Sequence, residues 1–305
     1  MSRVALPAGI QVLERGWLSA NNVVLTEGGG AVVVDSGHCH HAEQTVDLLR
    51  DALDGATLDE VVCTHGHVDH MGGNARLQAV FGCPVAVPEG LFERVNRWDE
   101  EALLLRATDQ QGDRFTAARA VRAGERRAMG GYEWVALPAP GHDMDALVFH
   151  APDARVLISG DALWRDGFGI LFVELYGEGG GIEATRQTLE AIARLPVDLV
   201  IPGHGAPFVE VDEALEAAFA RLRAFEEDGA RIARNGIRAL FAFRLMEQRA
   251  FTLDDLPDYL DRVPIYREAN RRFLGLSPDA LASWLQADLV RAGVARREGD
   301  LLHAT

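Results

Sequence analysis

Thr64-His65-Gly66-His67-Val68-Asp69-His70, THGHVDH in one-letter code, directly follows the apolar run Val61-Val62-Cys63. It places four metal-competent side chains within a single short segment. In extended chain, side chains alternate between faces, so His65 and His67 share one face. Asp69 and His70 come next, before Met71-Gly72-Gly73 and the helix-like stretch Ala75-Arg76-Leu77-Gln78-Ala79-Val80-Phe81. The glycines allow backbone angles denied to other residues. A strand that opens into such a loop can aim several donors at one point. Two histidines plus a further Asp/His pair exceed what one tetrahedral cation takes from one segment, which points to two adjacent cations.

Three outlying positions extend the pattern. His142 lies in Pro140-Gly141-His142, Asp161 in Ser159-Gly160-Asp161 after Arg155-Val156-Leu157-Ile158, and His204 in Pro202-Gly203-His204-Gly205 after Val197-Asp198-Leu199-Val200-Ile201. Each stands beside glycine near a short apolar run, as expected where a strand opens into a loop lining a site. Five of the chain's 10 histidines fall at these positions.

With these residues in view, the chain resembles the metallo-β-lactamase-fold superfamily of metal-dependent hydrolases, in particular its glyoxalase-II-like two-metal members, over roughly residues 10 to 210. The resemblance implies an α/β fold, a four-layer αββα sandwich with metals at one edge where the sheets meet. It assigns His65, His67 and His142 to one metal, and Asp69, His70 and His204 to the other. Asp161 would bridge the two. It further implies that Asp35, in Asp35-Ser36-Gly37, supports the ligands from behind; a turn-forming Asp is the alternative.

The chemistry follows from the donor set. Imidazole and carboxylate hold zinc at about 2.0–2.2 Å. Two cations roughly 3.5–4 Å apart share a bridging water and lower its pKa toward neutrality. The resulting hydroxide is the expected nucleophile, with Asp69 placed to orient it or receive its proton. Zinc is the default metal, and the mixed N/O set also accepts iron or manganese. A bridging carboxylate is typical of thioesterases, lactonases and phosphodiesterases of this resemblance and generally absent from its β-lactamases. After the histidine, Gly141 to Asp145 reads GHDMD where many relatives carry Ser or Thr and Gly, which argues against carrying over a glutathione-thioester specificity.

The expected function is hydrolysis of a small ester, thioester or lactone. Alternatives are a phosphodiesterase or ribonuclease, an iron-dependent sulfur dioxygenase with the second site empty, and a non-enzymatic assembly protein. The run from Leu163 through Trp164, Phe168 and Phe172 supplies aromatics and glycines for an apolar pocket wall, and Tyr176 is a candidate hydrogen-bond donor to an oxyanion. Ordinary packing under a loop is the alternative reading of the run from Leu163 to Phe172.

Composition bounds the rest. The chain has 305 residues, 48% hydrophobic and 25% charged, ordinary for a globular protein. No apolar run approaches the ~20 residues that cross a bilayer, and the first residues lack a continuous apolar core of the signal-peptide kind. Cys39, Cys63 and Cys83 show no CxxC spacing, which suits a reducing cytoplasm better than a disulfide framework. All 30 basic residues are arginine, excluding Schiff-base and P-loop lysine chemistry. The net charge is −16, and it is uneven: residues 1–228 carry 18 arginines and 36 acids, residues 229–305 carry 12 and 10. An acidic catalytic region repels phosphate backbones, so nucleic acid is a disfavoured partner, a small molecule is the expected one, and a homo-oligomer stays open.

Periodicity divides the chain into a catalytic domain, residues 1–210, and a helical extension, residues 211–305. Strands are expected at 23–25 and 31–34, around the turn Glu27 to Gly30, then at 84–87, 132–137, 146–150, 155–159 and before His204. Helices are expected at 42–53, 182–195 and 210–227. Residues 89–120 read as helical, interrupted at 108–113, in a segment placed to cover the site. The extension reads as helices at 229–248, 253–262 and 264–274, then a helix opened by the Ser277-Pro278 cap. Gly293 ends it. A hairpin around Glu298-Gly299-Asp300 completes a winged-helix-like arrangement, whose recognition-helix candidate carries Asp279 and Asp288 and only Arg291. His38, His40 and His41 beside Cys39 are a weaker candidate for a third metal site.

Overall fold

A computed structural model describes residues 4–177 and 179–305. In chain order the strands are β1 Ile10–Leu13, β2 Asn22–Glu27, β3 Gly30–Val34, β4 Thr57–Val62, β5 Val85–Pro88, β6 Arg119–Val121, β7 Arg126–Met129, β8 Tyr132–Pro138, β9 Leu147–Ala151, β10 Val156–Gly160, β11 Leu199–Pro202, β12 Ala250–Thr252, β13 Ala295–Glu298 and β14 Leu301–Ala304. The helices are α1 Ala42–Leu53, α2 Val68–Met71, α3 Asn74–Phe81, α4 Glu89–Arg97, α5 Leu105–Thr108, α6 Phe172–Leu175, α7 Gly181–Ala193, α8 Val211–Glu227, α9 Gly229–Gln248, α10 Leu256–Arg262, α11 Pro264–Ala269 and α12 Pro278–Arg291.

Two sheets face each other. One runs β1-β2-β3-β4-β5-β6, the other β11-β10-β9-β8-β7. Strict alternation explains why. In β2 and β3, Val23, Leu25, Val32 and Val34 point into the space between the sheets, where they meet Trp134, Phe149, Ile158 and Ile201. Their neighbours Val24, Ala31 and Val33 point outward and pack under α1, α3 and α4 through Val46, Leu49, Leu77 and Leu91. On the second sheet Leu157 and Val200 point outward beneath α7, α8 and α9. Strands apolar on both faces need cover on both faces, and the four layers follow, as the sequence implies.

The outer core of the second sheet continues from Leu157 and Val200 through Leu222, Phe241 and Leu260 to Leu285 and Leu302. The segment after residue 210 therefore shares its core with the second sheet. It ends in a small sheet ordered β12-β14-β13. β12 is an addition to the expected helices and hairpin, pairing Ala250 with His303 and Thr252 with Leu301.

The segment 89–120 departs from the helical expectation. Helix occupies only α4 and the single turn α5. Trp98, Leu104 and Asp109 all take left-handed backbone angles, with φ of 54°, 58° and 56°. A left-handed residue cannot continue a right-handed helix, so each marks a break. Beyond them Phe115 and Ala117 are buried in the first outer core, and Arg119–Val121 pairs parallel to β5. Packing has overridden helix propensity here.

Candidate metal centre

The side chains singled out in the sequence converge where the sheets meet. His65 follows β4, and His67 precedes the one-turn helix α2, which holds Asp69 and His70. His142 follows β8, Asp161 follows β10 and His204 follows β11. Ligand atoms of His65, His67 and His142 lie within 4.8 Å of one another, as do those of Asp69, His70, Asp161 and His204. Asp161 joins the groups: one carboxylate oxygen, Oδ2, is 3.3 Å from His142 Nε2, and the other, Oδ1, is 3.3 Å from His70 Nε2.

Hydrogen bonds fix which ring nitrogen faces inward. His142 Nδ1 donates to the Ile170 carbonyl at 2.6 Å, turning Nε2 toward His67 Nδ1, 2.8 Å away. His70 Nδ1 donates to Asp35 Oδ2 at 2.8 Å. Asp35 also accepts from the Thr64 amide and the Thr64 hydroxyl, each at 2.8 Å. Asp35 itself has a φ of 61°, strain that this threefold grip offsets. Asn21 clamps the His204 loop, donating to the carbonyls of Pro202 at 3.0 Å and Gly205 at 2.7 Å. Asp143, part of the divergent GHDMD run, accepts from the Gly66 amide at 3.2 Å and so ties the His142 loop to the His65–His70 segment.

These residues fit a pair of cations. His65 Nε2 and His70 Nε2 are buried with no hydrogen-bond partner among the described residues, as is His204 Nδ1. Such groups are costly unless something satisfies them. Burial, reinforced on His142 by His67, pushes the His67 and His142 pKa values down to about 4, so both rings stay neutral and able to donate a lone pair. Burial opposes charge on His70, but Asp161, Asp35 and Asp69 around it outweigh that and raise its pKa well above the usual value. Negative charge that holds a proton there can equally hold a cation. Burial also opposes charge on Asp161, and His70 and His204 outweigh it to keep the carboxylate ionised.

A cavity of about 550 Å³ opens onto the group, lined by His67, Asp69, His142, Asp161 and His204. Trp164 and Phe172 stand in its wall. Phe168 does not: it is buried behind the wall, against Phe225. Tyr176 lines a separate cavity of about 290 Å³ on the other side of His67 and His142, and its hydroxyl donates to Glu101 at 3.3 Å. The segment 89–120 reaches both spaces, with Gln110 in the first and Leu103 and Leu104 in the second. The His38 cluster forms no cation site among the described residues. His38 Nε2 instead meets Glu247 of α9 at 3.0 Å, and His41 Nδ1 meets the Ser19 hydroxyl at 2.8 Å.

Several lining residues carry no motif signal. Trp17 stacks on His204, ring centroids 5.4 Å apart and nearly parallel. Arg221, Arg238, Phe243 and Met246 come from α8 and α9. Only the amphipathic pattern of those helices hinted at a buried face, and it does not say which site the face covers.

The fold and the converging donors define a metal-site protein of the αββα class. The chain belongs to the metallo-beta-lactamase superfamily, whose family model matches residues 15–204. It is 28% identical over 140 residues to a hydroxyacylglutathione hydrolase of Hyphomonas neptunium, covering 46% of this chain and 45% of the relative. A hydroxyacylglutathione hydrolase of Idiomarina loihiensis is 28% identical over 165 residues, covering 54% and 52%. The chain thus spans about half the length of these curated relatives. Among solved structures, a metallo-beta-lactamase family protein from Thermus thermophilus superposes with a TM-score of 0.59 at 19% identity, over 97% of this chain and 99% of that one. A subclass B3 metallo-beta-lactamase of Bradyrhizobium japonicum gives 0.55 at 18% identity, over 75% and 94%. These last two likenesses concern the fold alone.

Proposed function

We propose that the chain is a binuclear metal-dependent hydrolase of a small ester, thioester or lactone, acting in the cytoplasm with zinc as its resident metal. The observation that carries the reading is Asp161, whose two oxygens face two separate donor groups at one end of an apolar-walled cavity. His65, His67 and His142 would hold one cation, Asp69, His70 and His204 the other, with Asp161 shared. When bound, such a pair supplies Lewis acidity toward a carbonyl oxygen and makes water a nucleophile near neutral pH.

The protein's own groups do the rest. Asp69 lines the cavity, with Oδ2 3.1 Å from His204 Nε2. Burial opposes its ionisation, but His70 and His204 outweigh that and hold its carboxyl below the usual range. It is therefore an ionised acceptor that can orient a water and take its proton. Ile170, Phe172 and Phe243 exclude bulk water from the acyl side. The three cysteines are free thiols, in keeping with a reducing compartment. No helix among the described residues is long and apolar enough to cross a membrane.

The test joins metal analysis to a substrate panel of p-nitrophenyl esters, acyl-CoA thioesters, lactones and bis-p-nitrophenyl phosphate. Two zinc equivalents per chain with turnover of a carboxylic ester, thioester or lactone is the expected result. Turnover confined to the phosphodiester, or oxygen uptake on thiols with a single iron, overturns it.

A further inference from the structure

The cavity wall also carries cations. Besides the donor groups it includes residues of α8 and α9, Arg221 and Arg238 together with the apolar side chains of Leu240, Phe243 and Met246. Arg221 lies with its guanidinium carbon 5.0 Å from the Phe168 ring centroid and 5.4 Å from that of Phe225. Stacking on aromatic faces leaves the N–H edge of a guanidinium free. Among the described residues no carboxylate lies within 4.0 Å of Arg221 and no acceptor takes its N–H groups. Burial, with Arg238 adding repulsion, pulls its pKa down to about 10, so it stays charged at neutrality. Arg238 has a partner, Asp288, at 3.4 Å, but Arg291 holds that same carboxylate. Two guanidiniums thus share the Asp288 carboxylate, and Arg221 has none, in a chain whose net charge is −16.

A half-buried arginine without a counterion is costly to leave so. Arg221 lines the same cavity as the donor groups, whose wall also carries the apolar side chains of Ile170, Phe172 and Leu240. We propose that Arg221, supported by Arg238, is an oxyanion subsite, and that the substrate is an ester or thioester whose acyl part carries a carboxylate or phosphate remote from the scissile carbonyl. The substrate class rests on the hydrolase reading; the subsite itself does not.

Binding is measured separately from turnover. The zinc-loaded full chain is titrated with the monoanilides of glutaric, adipic and suberic acids, with their uncharged terminal amides, and with matching ω-phosphonoacyl anilides. Tryptophan fluorescence is the readout, since Trp17 and Trp164 stand in the cavity wall. At least one anionic anilide is expected to bind about tenfold more tightly than its amide, the scale of a charge-assisted hydrogen bond. The carboxylate and phosphonate arms tell which oxyanion fits. Arg221→Gln is expected to erase the preference while Arg221→Lys retains part of it, and both should keep the wild-type melting profile and zinc content. In turnover of mono-p-nitrophenyl esters of the same acids, Arg221→Gln should raise KM about tenfold with kcat nearly unchanged. Equal binding of acids and amides by the wild type, or an intact preference in Arg221→Gln, overturns the subsite. Selective anilide binding without hydrolysis of any ester leaves the subsite standing and removes the hydrolase reading.

Discussion

His70 donates from Nδ1 to Asp35 Oδ2 across 2.8 Å, while its other nitrogen, Nε2, is buried 3.3 Å from Asp161 with no accepted hydrogen bond. Asp35 thus fixes the tautomer that presents a lone pair to the site, and its charge makes that lone pair a better donor. Asp35→Asn keeps the shape and removes the charge. It should weaken binding of a cation in the Asp69, His70 and His204 group by about 10- to 100-fold, measured by competition against a fluorescent zinc chelator. Unchanged affinity would place Asp35 in a purely structural role.

His67 and His142 face each other at 2.8 Å, both kept neutral by burial down to a pKa of about 4. Only neutral imidazole ligates, so acid competes with the cation for these rings. Zinc content should hold at neutral pH and fall as the pH approaches that value. His67→Ala should lose one of two zinc equivalents and lower turnover by about 10²-fold or more, the scale of removing one electrostatic stabiliser of a transition state. Circular dichroism should show the fold retained. Full turnover in this variant would mean that the His65, His67 and His142 group is not where the chemistry happens.

His38, just after β3, meets Glu247 of α9 at 3.0 Å. Burial works against a charge on His38, but hydrogen bonding to Cys39 and to Glu247 outweighs it and pushes the pKa up to about 9. The folded state therefore binds this proton more tightly than the unfolded chain, whose histidine titrates near 6.5. The stabilisation is fully present below pH ~6.5 and lost as pH rises to about 9, on the order of 2 kcal/mol. Urea melts of the wild type should lose midpoint across that window. Glu247→Gln should start lower and lose much less; parallel loss in both would sink the assignment.

The donor set was legible because its signal is local. HxHxDH after an apolar run, and His or Asp beside glycine at three strand ends, are patterns within a few residues, and the continuous apolar runs of β2 and β3 around their glycine turn read as a hairpin. Trp17, Asn21, Arg221 and Arg238 were not legible. Each works through a partner far along the chain: Asn21 on the carbonyls of Pro202 and Gly205, and Arg221 on Phe168. Phe168 shows the converse, an aromatic in the right segment whose direction is set by α8. Within 89–120 the helix is shorter than expected because Trp98, Leu104 and Asp109 are held left-handed by tertiary packing, which local propensity does not foresee.

The core that runs from Leu157 and Val200 into Leu222, Phe241 and Leu285 bears on how the chain can be divided. Removing residues 211–305 would leave the outward face of the second sheet only partly covered, by α7, and strip α8 and α9 from the cavity. Apolar burial stabilises by roughly 25 cal/mol per Å², and several large side chains such as Leu157, Val200 and Leu171 lose cover together. Against a total stability of about 5–15 kcal/mol, that loss is decisive. Residues 1–210 expressed alone should be insoluble, or bind hydrophobic dyes and melt without cooperativity, even with zinc present. A soluble, cooperatively melting fragment that retains two zinc equivalents would show instead that residue 210 separates independently folding domains, and that the helices only roof a finished site.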